Sequence, residues 1–181
     1  FNECVVMAAA IRQAKSHDEE LALIESQLQD VTQIICDIYS RYLFESMVLE
    51  NREQQFMDAD TLCGMMLKAQ EQSYGDGLDP NFRHPYMWIC KSHYYGATFY
   101  NFPYAFGGLF ARGLYAQYQR EGAAFVPKYK KLLRTTTVAT AEDVAQVAGI
   151  DLTDKEFWRS ALQTVAQQID LVCGLLEGGN Q

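Results

Sequence analysis

Apolar residues recur every three to four positions along "SHDEELALIESQLQDVTQIICDIYSRYLFESMVLENREQQF", at Leu21, Ile24, Leu28, Val31, Ile35, Ile38 and Tyr42. That period belongs to a helix, and it predicts one long helix, or two end to end, with one face buried along the whole length. Ser16 with Glu19 opens it as a capping box, in which a hydroxyl and a carboxylate satisfy amides that a helix start leaves unpaired. A second helix is predicted over "MDADTLCGMMLKAQEQSYG", with Asp58 or Asp60 as N-cap and Gly75 as its stop. "GDGLDPNFRHP" gathers Gly, Asp and Pro, the chemistry of turns, and marks the one clear irregular connection. After it comes a segment from about Tyr86 to Arg120 that is aromatic on several sides.

"TAEDVAQVAGIDLTDKEFWRSALQTVAQQIDLVCGLL" reads as two more helices. Thr140 caps the first and Gly149 ends it, and Thr153 with Glu156 forms a second capping box. Strand alternation is nowhere sustained, and there is no internal repeat or low-complexity segment. The expected class is all-α, a multi-helix bundle, and 181 residues match the size of one domain, so residues 1–181 are expected to form a single helical domain. The first residue is Phe1 rather than methionine, and "FNECVVMAAAI" begins inside an amphipathic helix, which suggests a chain cut from something longer.

Composition narrows the partners. With 49% hydrophobic and 21% charged residues the chain is a folded globular one rather than a disordered tail. A formal charge of −8 argues against a nucleic-acid partner, since phosphate binding relies on clustered cations. The only dense basic run, Lys128, Lys130, Lys131 and Arg134, reads as a solvated helix face. Five dispersed cysteines show no CxxC or Cys/His ligand spacing, which fits a reducing compartment. No apolar run approaches the roughly 20 residues that span a bilayer, and no signal peptide opens the chain. A soluble, cytoplasmic protein with no membrane partner is the expectation.

Complete catalytic constellations are missing. His17, His84 and His93 form no HExxH pair, no glycine-rich phosphate loop follows a strand, and no GxSxG elbow occurs. Glu45, Glu50 and Glu53 lie at near-helical spacing without a Glu-x-x-His partner, and read as a solvated or salt-bridged face. The informative stretch is "HYYGATFYNFPYAFG", residues 93 to 107. On a helix His93, Tyr100 and Tyr104 step by seven and then four positions, returning nearly to one side, so that one imidazole and two phenols share a face. Two readings stand: a core strip whose hydroxyls are tied to backbone or water, or a wall that touches a ligand. Gly96 and Gly107 are either hinges of a closing segment or points of close helix packing; packing is the expectation at Gly107, and Gly96 is open.

"SHYYGATFYNFPYAFG" resembles a segment of the oligoendopeptidase F family, with His93, Tyr100, Tyr104, Ala105 and Gly107 on matching positions without a gap. "YGDGLDPNFRHPYMW" resembles the loop before that segment, "FVPKYKKLL" the basic helix after it, and "GIDLTDKEFWRSALQTVAQQIDLVCGLL" the family's terminal helix. "FNE" at residues 1 to 3 resembles the tail of the family's E-x-x-S-T-F-N-E helix. Taken in order, these pieces cover almost the whole chain. The departure lies at "LLRTTTVATAEDV", where the family usually has a glycine-rich turn and Thr135 to Thr137 are stiffer.

The resemblance implies the C-terminal part of the catalytic domain of a helical, zincin-type metallopeptidase related to thimet oligopeptidase, which encloses short peptides in a deep channel. Zinc would be held by the histidines of HExxH and the first glutamate of E-x-x-S-T-F-N-E, all upstream of Phe1. The chain alone is therefore expected to bind no zinc and to be inactive, its partners being short peptide substrates and the upstream part of the same polypeptide. Glu3 would be a carboxylate near the metal, not a ligand. His93 and Tyr100 would hold substrate and stabilise the tetrahedral intermediate, Tyr104 would contact substrate or pack, and Tyr94, Tyr95, Phe99 and Phe106 would pack or line the channel. The alternative is a helical peptide-binding or scaffold module without hydrolysis.

Overall fold

Local capping chemistry sets several of the helix boundaries. The computed structural model describes residues 1–178, and among these every regular element is helical and no strand forms. Helix α1 spans Asn2–Arg12 and α2 spans His17–Thr32. The Ser16 hydroxyl accepts the Glu19 amide at 3.1 Å, while the Glu19 carboxylate reaches back to the Lys15 amide at 2.7 Å. The box is thus closed one residue further upstream than its usual form.

The long predicted helix is continuous with a flaw in it. A π-helical stretch, Gln33–Asp37, joins α2 to α3, which spans Ile38–Asn51. A π turn takes up more residues than an α turn and so rotates everything beyond it about the axis. Ile24, Val31 and Ile38 stay buried as their period predicts. Beyond the π stretch, however, the buried face runs through Ser40, Arg41, Phe44 and Glu45, and Tyr42 is 44% exposed. Glu45, expected on a solvated face, is buried by this shift, while Glu50 and Glu53 remain exposed.

Helix α4 spans Ala59–Tyr74; Asp58 is its N-cap, accepting the Thr61 amide at 2.8 Å, and Gly75 leaves it at φ +57°, a backbone that favours glycine. The region from Tyr86 onward is not one helix. It breaks into two single turns, α5 (Met87–Cys90) and α6 (His93–Gly96), then a tight turn, and only then α7 (Phe102–Glu121). Helix α8 spans Phe125–Thr135, with Lys128, Lys130, Lys131 and Arg134 all exposed as expected. Its threonine-rich exit is built by hydroxyls that bond back into the helix, Thr135 to the Lys131 carbonyl and Thr136 to that of Leu133.

Thr140 caps α9 (Ala141–Val147), which ends at Gly149 with φ +75°. The last helix, α10 (Lys155–Gly178), starts one residue later than its expected capping box. Thr153 is drawn into a turn in which its amide and hydroxyl both donate to Asp151, and Asp154 instead accepts the Glu156 amide at 2.9 Å.

The described residues gather into two compact units, the first drawing on residues 1–28 and 109–178, the second being Gln29–Gly108. The core of the first holds Leu114, Phe125, Leu132, Val144, Ala145, Ala148 and Ile150. Phe1 stacks its ring on Tyr129 at 4.1 Å there, and Gly113 leaves room for the Phe157 ring, which would lie 2.3 Å from any Cβ. The core of the second unit holds Phe44, Met66 and Ala69, with Met87, Trp88 and Tyr94 packed on it. Close packing in this unit falls on Gly108, where a Cβ would meet Ile34 at 2.7 Å, and not on Gly107, where nothing lies near. All five cysteines are free, and no helix among the described residues is long and apolar enough to cross a membrane.

Candidate functional site

Within the second unit, Asp37 at the end of the π stretch and Arg41 and Glu45 of α3 follow at successive four-residue steps, which places all three on one side. Arg41 and Glu45 are buried and hold the chain between Ala97 and Asn101, and the partly buried Asp37 pairs with Arg41. Arg41, 5% exposed, pairs with Asp37 through one terminal nitrogen and donates to the Asn101 side-chain oxygen at 3.3 Å through the other. Asn101 is itself 1% exposed. The Glu45 carboxylate, 6% exposed, accepts the Phe99 amide at 2.6 Å.

Phe99 sits at φ +55°, a left-handed conformation that costs a non-glycine residue roughly 1–2 kcal/mol. The short bond to a charged acceptor offsets that strain. Its ring lies on Tyr42 at 5.5 Å, so the exposed Tyr42 has a packing partner at this turn. The loop before it is held by Gln70 of α4, whose amide nitrogen donates to the His84 carbonyl at 2.8 Å and whose oxygen accepts the His84 amide at 3.1 Å. Tyr95 adds a bond from its hydroxyl to the Trp88 carbonyl at 3.1 Å.

The turn brings together His93, Tyr100 and Tyr104. The His93 and Tyr100 rings stack with centroids 5.6 Å apart and planes 16° apart. Tyr104 stands edge-on to both, at 5.7 Å from His93 and 6.2 Å from Tyr100. His93 Nε2 lies 3.2 Å from the Tyr104 hydroxyl. Tyr100 is 52% exposed and Tyr104 46%. Among the described residues the Tyr100 hydroxyl has no hydrogen-bond partner, and His93 Nδ1 is buried without one. The three residues singled out in the sequence do meet, but not along a helical face: His93 lies on α6, Tyr100 in the turn and Tyr104 in the first turn of α7.

A cleft of about 450 Å³ opens beside them, lined by Gln33, Ile34, Ile38, Arg41, Cys90, Lys91, Ser92, His93 and Tyr104. Tyr94 turns the other way, onto Phe44 at 5.2 Å, where burial pushes its phenol well above the ordinary tyrosine range and keeps it neutral. Phe106 packs on Phe102 at 5.9 Å. Glu3 lies exposed in the first turn of α1, in the first unit, where its charge suits a helix N-terminus.

Arg41 and Asn101 escaped the sequence reading, and Glu45, expected on a solvated or salt-bridged face, is buried. The signal present was charge repeating at four-residue steps inside the otherwise apolar "DIYSRYLFE", which marks a buried polar ladder rather than a wet face. Among the described residues no three His, Cys, Asp or Glu side chains lie together where they could hold a metal ion. No family model, no curated protein and no solved structure matches the chain.

Proposed function

We propose that the chain is the substrate-facing, C-terminal part of the catalytic domain of a zinc-dependent oligoendopeptidase that hydrolyses short peptides. The observation that carries this reading is the cluster of His93, Tyr100 and Tyr104 with two accessible phenols beside a cleft. The resemblance of "SHYYGATFYNFPYAFG" to the oligoendopeptidase F family supports the same assignment. The zinc ligands in this reading belong to an HExxH segment and a glutamate upstream of Phe1.

The division of labour between the phenols follows from their hydrogen bonds. Tyr104 is engaged with His93 Nε2, either donating to it or accepting from it according to the imidazole tautomer. Tyr100 has a free hydroxyl and is the donor available to a peptide carbonyl. As the carbonyl oxygen gains charge during hydrolysis, a neutral phenol already aimed at it stabilises the transition state more than the substrate. Stacking on His93 fixes the plane from which that hydroxyl is presented.

The test uses the polypeptide in which an HExxH segment is joined in frame ahead of Phe1. Tyr100→Phe should lower kcat on a quenched fluorescent peptide about 100- to 1,000-fold while KM changes little. Loss confined to KM would sink the oxyanion role and favour a peptide-binding module. A coding region with no HExxH upstream of Phe1 removes the peptidase reading altogether.

A further inference from the structure

The cleft beside His93 runs against the charge of the chain around it. The chain carries −8, yet the cleft is lined by two cations, Arg41 and Lys91, and by no Asp or Glu. Arg41 is already paired with Asp37, but its Nε is buried without an acceptor. Lys91 is half-buried and forms no ion pair among the described residues. Polar groups of Ser92, His93 and Tyr104 face the same space, and Ile34 and Ile38 give it an apolar side. At about 450 Å³ it falls within the range of small-ligand sites. Cation, donors and an apolar wall together select a small anion that carries a side chain.

We propose that this cleft anchors the C-terminal carboxylate of a short peptide, an assignment that rests on peptides being the substrates. Lys91 supplies the free counter-charge, Ser92 donates to the carboxylate, Tyr104 donates to it while accepting from His93 Nε2–H, and Ile34 and Ile38 receive the terminal side chain. Because Tyr104 and His93 belong both to the cleft and to the ring cluster, a peptide held here presents its backbone to Tyr100 in a register counted from its C-terminus. Cleavage position is then set by distance from the chain end more than by the side chains flanking the bond. Amidation of the C-terminus removes both the charge and an acceptor, and leaves Lys91 facing a neutral group.

The experiment is a fluorescence-anisotropy titration of the 181-residue chain with an N-terminally labelled tetra-alanine peptide, once as the free acid and once as the C-terminal amide. The acid should bind at least tenfold more tightly than the amide, and Lys91→Met should abolish that difference while leaving amide binding within threefold. Equal binding of the two peptides, no binding of either, a preference that survives Lys91→Met, or displacement by equimolar inorganic phosphate each overturns the proposal. Hydrolysis is read separately on the longer polypeptide. An acid preference without hydrolysis keeps the anchor and removes the peptidase reading; hydrolysis indifferent to amidation does the reverse.

Discussion

Glu45→Leu isolates the contact that shapes the ring cluster. In the folded chain the Glu45 carboxylate accepts the Phe99 amide at 2.6 Å and holds that residue at φ +55°. A hydrogen bond to a charged acceptor contributes about 1.5–3 kcal/mol, and its loss leaves the amide without a partner. Leucine recovers part of this, because the second carboxylate oxygen of Glu45 is buried with no partner and its desolvation cost disappears. A net destabilisation of about 2 kcal/mol is expected. With a urea slope of about 2 kcal/mol per molar, the midpoint should fall by about 1 M at unchanged slope. Glu45→Gln, which keeps an acceptor oxygen, should lose about half as much. Amide hydrogen exchange gives the local reading: Phe99 should lose protection in Glu45→Leu while the amides around Met66 keep theirs. Adding Phe99→Gly to Glu45→Leu should recover about 1 kcal/mol, since glycine takes a positive φ without strain. A Glu45→Leu protein with wild-type midpoint and a protected Phe99 amide would refute the account of the turn.

Four further outcomes are expected. Phe125→Ala empties the middle of the first unit's core, where the ring is fully buried, and should cost about 3–5 kcal/mol in urea denaturation. Gly108→Ala drives a Cβ to within 2.7 Å of the β-branched Ile34, so it should destabilise by about 1–3 kcal/mol despite its better helix propensity, and Ile34→Ala in the same chain should restore most of the loss. Tyr74 is held near a pKa of about 12 by burial and by the nearby Asp37 charge; its folded value lies above the unfolded one, so its contribution is complete below pH 10 and is lost as pH rises to 12, and Tyr74→Phe should reduce the slope of stability against pH in that window. Asp58, Glu121 and Asp151 have carboxyls held below the usual range, chiefly by hydrogen bonds from Thr61, Lys128 and Thr153; with folded values depressed, their contribution is present above the unfolded pKa and lost as pH falls through the folded one, so Asp58→Asn should be less stable than wild type at neutral pH, with the gap in urea midpoint closing as the pH is lowered.

What could be read from the chain was what is decided within a few residues. Ser16, Asp58 and Thr140 cap their helices as their side chains dictate, and Gly75 and Gly149 stop theirs because each takes a positive φ. The α2 and early α3 face followed from its period up to Ile38 and failed at Tyr42, because the π stretch between Gln33 and Asp37 inserts a rotation that no local propensity announces. Thr153 lost its capping role to Asp154 for a near-local reason, competition from the Asp151 carboxylate. The break of the aromatic segment at Phe99 was out of reach, since the acceptor that pays for it, Glu45, lies 54 residues away in sequence.

That long-range bond also explains why His93, Tyr100 and Tyr104 meet on a geometry other than the helical face expected of them. Steps of seven and four would bring His93, Tyr100 and Tyr104 onto one side of a continuous helix, with their rings stacked along the axis and their tips pointing the same way. In the folded chain Phe99 reverses the backbone immediately before Tyr100, which lets the Tyr100 ring lie flat on His93 instead of one turn above it. A helical stripe of this kind would be satisfied by packing against a neighbouring helix, as aromatic core strips are. The turn leaves Tyr100 and Tyr104 about half exposed and the Tyr100 hydroxyl unbonded, at the expense of backbone strain at Phe99 and of burying Arg41, Glu45 and Asn101 with polar atoms left over. Strain and unsatisfied polar atoms gather behind two half-exposed tyrosines, where a packed core strip would avoid both. Relaxing the turn with Glu45→Leu should therefore weaken peptide binding at the cluster by about tenfold, the equivalent of about 1.4 kcal/mol, under conditions where the variant remains folded; an unchanged peptide affinity in that variant would return the cluster to the core-strip reading.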